Sequence, residues 1–384
     1  MSPYSKREYL DSISPRYHGS IRKEKSAILK EFCVVYGCHR KHAIRILNRK
    51  KTQKQKRKPG RKSRYGDKLF LNHLKNLWLA TDQLCSKRLK AAIPLWLPFY
   101  KQQTQISPEL ESLLLKISPA SIDRLLKPIK ARLKGKGLSG TRPGTLLKNL
   151  INIRTDNSDI DRPGYMEGDT VHHCGNSLLG QYVLSLTMTD IKSGWTENQA
   201  VWTKAAPLVI AALKEIRSRL PFKLLGVDFD NGTEFLNRHM VQYLTNHKID
   251  FTRSRPYKKN DNAHVEQKNW THVREWLGYD RFDDPELVDL INNFYAGPAR
   301  LLLNFFCPNL KLIEKIKINS KYVKKYDIPM TPYQRLLNSE HIAEDEKQKL
   351  RKTISSLNPF KLKEQMEQKL KRIFQFKKKI PTTP

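Results

Sequence analysis

The chain has 384 residues, 72 Lys and Arg against 37 Asp and Glu, and a formal net charge of +35. With 39% hydrophobic and 9% aromatic residues it can build packed cores, which excludes wholesale disorder. The length suggests two or three domains. No stretch approaches the roughly 18 apolar residues of a membrane span, and the first residues lack the apolar core of a signal peptide. Cys33, Cys38, Cys85, Cys174 and Cys307 are scattered and form no C-x-x-C pair, which argues against a disulfide framework and fits a reducing cytoplasm. His39 and His42 lie near Cys33 and Cys38, but no second ligand pair follows at zinc-finger spacing. A surplus of this size calls for a polyanion, and with no lipid anchor in view the expected partner is nucleic acid rather than membrane.

In chain order, residues 1–48 are expected to form a helical DNA-binding domain. Ile21, Ile28, Leu29, Phe32, Val35 and Tyr36 recur at helical spacing, Gly37 stops that helix, and a second follows with Ala43, Ile44 and Leu47 for packing. Arg40, Lys41 and Arg45 fall largely on its other faces. Helix, glycine turn, basic helix is the helix-turn-helix pattern, whose second helix enters the major groove. Residues 49–65 are a basic linker. The segment Arg49–Arg64 holds ten Lys and Arg and no acid, so it cannot fold alone. Arg57, Arg61 and Arg64 either enter a minor groove or track phosphates.

Residues 66–133 carry a second helical block, a DNA-reading unit or a spacer, with Leu69, Phe70, Leu74, Leu77 and Trp78 on one face. Residues 134–160, rich in Gly, Pro, Lys and Ser, are a linker. From Gly164 the pattern becomes strand-like. Three antiparallel strands are followed by helix, strand, helix, strand and helix, the last over Ala263–Gly278. That order is the order of an RNase H-like domain with a mixed five-stranded sheet, assigned to 161–308. Residues 309–384 are a small basic region ending in a helix.

Acids are scarce here, so their placement is informative. Asp169 lies in the first strand, Asp230 ends a short apolar strand, and Glu266 sits in the first turn of the last core helix. On adjacent strands and a flanking helix the three would converge. Their repulsion, about 1 kcal/mol per pair in water at 4 Å and more near protein, is removed by divalent cations, and hard Mg²⁺ prefers oxygen ligands. Asp228, two residues before Asp230, is an alternative ligand on the same strand face. His172, His173 and Cys174 read as strand residues rather than a metal cluster.

DFDNGTEF (228–235), RSRPYKKNDNAHVEQKNW (253–270), GDTVHHCG (168–175) and the Gly194-Trp195 pair resemble the catalytic core of the retroviral-integrase superfamily, specifically bacterial insertion-sequence transposases. Thirty-five residues separate Asp230 from Glu266, matching the family's Asp, Asp-35-Glu signature. The resemblance covers roughly 160–340 and includes TPYQRLL (331–337). Phe229 and Ala263 depart from the common residues beside the second and third acids. The resemblance implies a catalytic and metal-binding triad of Asp169, Asp230 and Glu266, two Mg²⁺ ions with Mn²⁺ as a possible substitute, and a turn at Asn231 and Gly232 presenting the second acid. It further implies DNA contacts at Asn269, Lys268 and Arg274. The implied activity is transposition on double-stranded DNA, hydrolysis at the element ends and then strand transfer, by a homo-oligomer in the bacterial cytoplasm, at the nucleoid. No nucleotide cofactor is expected, since no GxxxxGK[ST] loop is present. Two other readings stay open: a non-catalytic DNA-binding regulator, and an RNase H-like nuclease using a further acid such as Glu215.

Overall fold

The computed structural model describes residues 3–48, 64–132, 152–153, 160–230, 232–253, 263–318 and 321–379. Most of the basic linker and of the segment 134–160 lies outside them, as do Arg57, Arg61 and Asn231. The chain divides into two compact units, residues 1–64 and 65–384.

The first unit contains α1 (Pro3–Gly19), α2 (Arg22–Tyr36) and α3 (Arg40–Leu47). The Glu24 carboxylate accepts the Ile21 N–H at 3.2 Å at the start of α2, and His39 Nδ1 accepts the Lys41 N–H at 3.2 Å to cap α3. Each satisfies a donor that a helix start leaves unpaired. Ile13 and Tyr17 of α1 complete a core with Ile28, Leu29, Phe32, Ala43 and Leu47. Ile21 and Val35, expected in the packing stripe, are 68% and 43% exposed, because the core takes only the side of α2 that faces α1 and α3.

The second unit opens with α4 (Lys68–Ala80), α5 (Ser86–Gln103), α6 (Pro108–Lys116) and α7 (Pro119–Arg132). Helix α5 runs through Pro94 and Pro98. The two are four residues apart on one exposed face, while Ile93, Trp96 and Leu97 are buried on the other. The lost hydrogen bonds fall on the solvent side, where water replaces them.

A six-stranded sheet follows, built from β1 (Asn152–Ile153), β2 (Tyr165–His172), β3 (Val183–Asp190), β4 (Thr196–Trp202), β5 (Gly226–Phe229) and β6 (Asp250–Arg253). The spatial order is β1-β6-β5-β2-β3-β4. β2, β3 and β4 are antiparallel, whereas β5 and β6 run parallel to β2. This is the expected five-stranded mixed sheet, extended by two residues of β1. Helices α8 (Ala206–Arg219) and α9 (Arg238–Asn246) cover one face, sealing Met166, Leu186, Val209, Leu213, Val227 and Phe229.

On the other side lie α10 (Ala263–Lys268), a π-helical turn (Asn269–Arg274), α11 (Glu275–Leu277), α12 (Glu286–Phe294), a second π-helical turn (Tyr295–Ala299) and α13 (Arg300–Phe306). A hairpin of β7 (Leu312–Ile318) and β8 (Lys321–Tyr326) precedes α14 (Pro332–Leu337), α15 (Glu344–Ser355) and α16 (Pro359–Lys379). The helical block 66–133 and the region 309–384 are not set apart from the core as the sequence led one to expect. Phe70, Trp96, Val171, Trp195, Phe294, Phe306, Leu362 and Met366 belong to one hydrophobic cluster. Trp96 Nε1 donates to the Phe306 carbonyl at 2.9 Å, and Asp82 pairs with Lys363. The periodicity of each helix marks an apolar face without naming its partner, so the shared core was hidden from it.

Candidate active site

Asp169 is half-buried in β2. The β2–β5 register pairs Gly168 with Phe229, so the next step along both strands brings Asp169 beside Asp230. Gly168 permits that closeness: a Cβ there would lie 2.2 Å from the Phe229 ring and 2.6 Å from Met188 Sδ. Since neighbours in register share a face, the two aspartates point to the side opposite Phe229. Asp228, in register with Glu167, continues the same face one pleat deeper, and both are buried.

The turn after β5 positions Asp230, whose Oδ1 accepts the Gly232 N–H at 2.9 Å. Asp169 Oδ1 accepts the Thr170 N–H at 2.7 Å, and Oδ2 accepts from Asn269 Nδ2 at 2.7 Å. Burial, reinforced by the charge of Asp230, pushes the Asp169 carboxyl well above the usual carboxylate range despite these bonds. Burial likewise raises Asp230, with the charge of Glu234 adding to it and the Gly232 bond opposing it.

Glu234 is an acid that the sequence reading did not single out. It is 7% exposed and accepts from Thr170 Oγ1 at 2.7 Å. A Cβ at Gly232 would meet its carboxyl carbon at 2.8 Å and Asp230 Oδ1 at 2.9 Å, so both carboxylates crowd one turn. The signal was the stretch DNGTEF itself, in which Phe235 is fully buried and stacks on Phe229 at 4.0 Å, drawing its neighbour inward.

Glu266 lies exposed on α10, one turn before Asn269. Among the described residues no three His, Cys, Asp or Glu side chains are gathered closely enough to hold a metal ion. The expected convergence is therefore half-built: the two aspartates are adjacent, and the third acid stands on a helix that Asn269 ties to the first. The donors at the site are carboxylate and amide oxygens, the set that suits a hard divalent cation, and the raised aspartates are groups that cationic charge would relieve.

Other expected residues fall elsewhere. Lys268 is buried, and burial first, with the charges of Arg88 and Arg335 adding to it, lowers its ammonium to about 7. It is turned into the protein rather than toward a phosphate, on a helix that packs against β2 and β3. Arg274 donates to the carbonyls of His172 and Gly278 at 2.8 and 3.1 Å and lies over the Tyr279 ring, so its guanidinium is occupied in holding the fold. Arg40, Lys41 and Arg45 are exposed on α3, and Arg64 is exposed. His173 is fully buried, bonded to Ser185 at 2.8 Å, and His172 meets the Tyr182 hydroxyl at 3.2 Å, so both serve as strand residues. Glu215 is exposed on α8, away from the buried face of that helix.

Residues 161–259 match the family model of the integrase core domain. An uncharacterized protein, y4rM of Sinorhizobium fredii, is 40% identical over 341 residues, which cover 87% of this chain and 96% of the relative. Among solved structures, the magnesium-bound catalytic core of HTLV-2 integrase is 21% identical, covering 39% of this chain and 90% of its own, with a TM-score of 0.28. The BIV integrase core is 19% identical, covering 46% and 96%, with a TM-score of 0.30.

Proposed function

Since residues 161–259 belong to the integrase core domain family, we propose that the chain is a DNA transposase that cuts and rejoins phosphodiesters at the ends of a mobile element. The observation that carries this reading is the placement of Asp169 on β2 beside Asp230, the residue that follows β5, with the Glu266 helix tied to Asp169 through Asn269. The three carboxylates would hold two Mg²⁺ ions, or Mn²⁺ in their place, which supply Lewis acidity at the scissile phosphate.

The residues themselves bind and orient. Asn269 fixes the rotamer of Asp169, Gly232 N–H that of Asp230, and α10 brings Glu266 to the same edge. In the first reaction water attacks phosphorus and the bond to the 3′ oxygen breaks, leaving a 3′-OH. In the second that 3′-OH attacks a target phosphodiester, so one P–O ester replaces another and no nucleotide cofactor is consumed. The exposed Arg40, Lys41 and Arg45 of α3 suit the major groove, and Arg57, Arg61 and Arg64 suit phosphates beside it. Joining two element ends calls for at least two protomers on DNA. No helix among the described residues is long and apolar enough to cross a membrane, which accords with work on DNA at a bacterial nucleoid.

The test is a strand-transfer assay in Mg²⁺, using the DNA that flanks the gene, on the wild type and Asp169→Asn. The wild type should join ends and the variant should not. No activity in either would favour a DNA-binding regulator, equal activity would remove Asp169 from the catalytic group, and a preference for RNA–DNA hybrids would favour a nuclease.

A further inference from the structure

We infer that Glu167 is a positioning residue for Glu266: it pins the first turn of α10 to β2, so that the third acid is held alongside Asp169. This rests on the reading that Asp169, Asp230 and Glu266 share cations. Glu167 is fully buried in β2. A carboxylate removed from water costs several kcal/mol unless it is hydrogen-bonded, so its presence there calls for a reason. Its Oε2 accepts the backbone N–H of Val265 at 3.0 Å, the residue immediately before Glu266. Val265 lies in the first helical turn, where N–H groups have no partner within the helix and the dipole favours an anion.

Four residues on, Asn269 Nδ2 reaches Asp169 Oδ2 at 2.7 Å. Glu167 and Asp169 are two apart on a strand, about 6.7 Å, and Val265 and Asn269 are four apart on a helix, about 6 Å. The two spans match, so two struts join the same faces of β2 and the helix in step. A single strut would let α10 pivot about Asp169, whereas two fix its direction along the strand. Glu266 lies between them, so its stretch of backbone cannot move away from β2 without breaking one.

The test uses the full chain, titrated with Mn²⁺ alone by calorimetry, with amide hydrogen exchange on the metal-free protein. Glu167→Gln keeps an acceptor oxygen, Glu167→Ala removes it, and Val265→Pro removes the donor from the other side, within the first helical turn where no intrahelical hydrogen bond is lost. The Mn²⁺ dissociation constant should rise about tenfold in Glu167→Ala and in Val265→Pro, the loss expected when support of a ligand is removed. Glu167→Gln should stay within about threefold, and the Glu167→Ala/Val265→Pro double variant should be no weaker than either single one. Residues 266–277 should lose exchange protection while β3 keeps it. Wild-type Mn²⁺ binding in both single variants, additive losses, or Glu167→Gln as weak as Glu167→Ala would overturn the proposal. If Glu167→Ala fails to fold, Val265→Pro decides it alone. Mn²⁺ binding that ignores Asp169→Asn would sink the shared-cation reading, and the exchange comparison would then still decide whether Glu167 anchors the helix.

Discussion

Asp169 is held between a like charge and an amide, and both neighbours govern its chemistry. Its carboxyl and that of Asp230 are raised above their ordinary range by burial first and neighbouring charge second. Between the unfolded carboxyl value near 4 and these raised values, the folded chain binds protons that the unfolded chain does not, so its stability falls as pH rises through that window. Asp169→Asn should therefore melt about 2–5 °C above wild type in EDTA at pH 8 and lose that advantage near pH 4, as followed by calorimetry. Cation binding must displace the same protons, so Mn²⁺ affinity should increase from pH 6 to pH 8. Asn269→Ala should weaken Mn²⁺ binding by about 10-fold or more, since it removes the group that orients a ligand. At this scale the nearness of Asp169 and Asp230 was legible, because acids on neighbouring strands stand out in so basic a chain. Glu167 and Glu234 were not, since a lone acid in a strand or turn carries no spacing signal and only the fold reveals what it touches.

The elements that present these groups depend on close backbone approach and on one buried ionic knot. Gly168 lets β2 lie against the Phe229 ring, so Gly168→Ala should overpack the sheet and cost about 1–3 kcal/mol in chemical denaturation. At the other edge, Glu197 of β4 is buried and takes Arg300 Nε at 2.6 Å, Arg219 Nε at 3.3 Å and Trp195 Nε1 at 2.8 Å, joining β4, α8 and α13. Removing the acid takes the ionic partner from two part-buried guanidiniums, so Glu197→Ala should cost about 3 kcal/mol. The strand and helix order of the core was readable from periodicity and turn residues alone. Helix α9 begins at Arg238, because Asn237 caps it by accepting the Met240 N–H at 2.9 Å, which leaves Glu234 in the preceding turn, where it faces inward. Helix α1 escaped notice because its apolar positions, Ile13 and Tyr17, are too few to mark a stripe.

Across the whole molecule, the catalytic fold, the second helical block and the C-terminal helices form one unit, and residues 1–64 form another. Residues 65–384 expressed alone should melt cooperatively and keep the wild-type Mn²⁺ affinity. Their DNA affinity should fall less steeply with salt than that of the full chain, because each phosphate no longer neutralised takes about 0.9 off the logarithmic slope. Charge was the most legible whole-molecule property, whereas the merging of domains was not, since partner choice among apolar faces depends on three-dimensional fit.

The central claim is that Asp169, Asp230 and Glu266 gather around shared cations. Anomalous diffraction from crystals of the DNA-bound protein soaked in Mn²⁺ measures this directly. Peaks are expected about 2.0–2.2 Å from oxygens of Asp169 and Asp230, with Glu266 drawn in to at least one of them. Peaks that leave Asp169 uncoordinated, or no peak at that edge of the sheet, would contradict it.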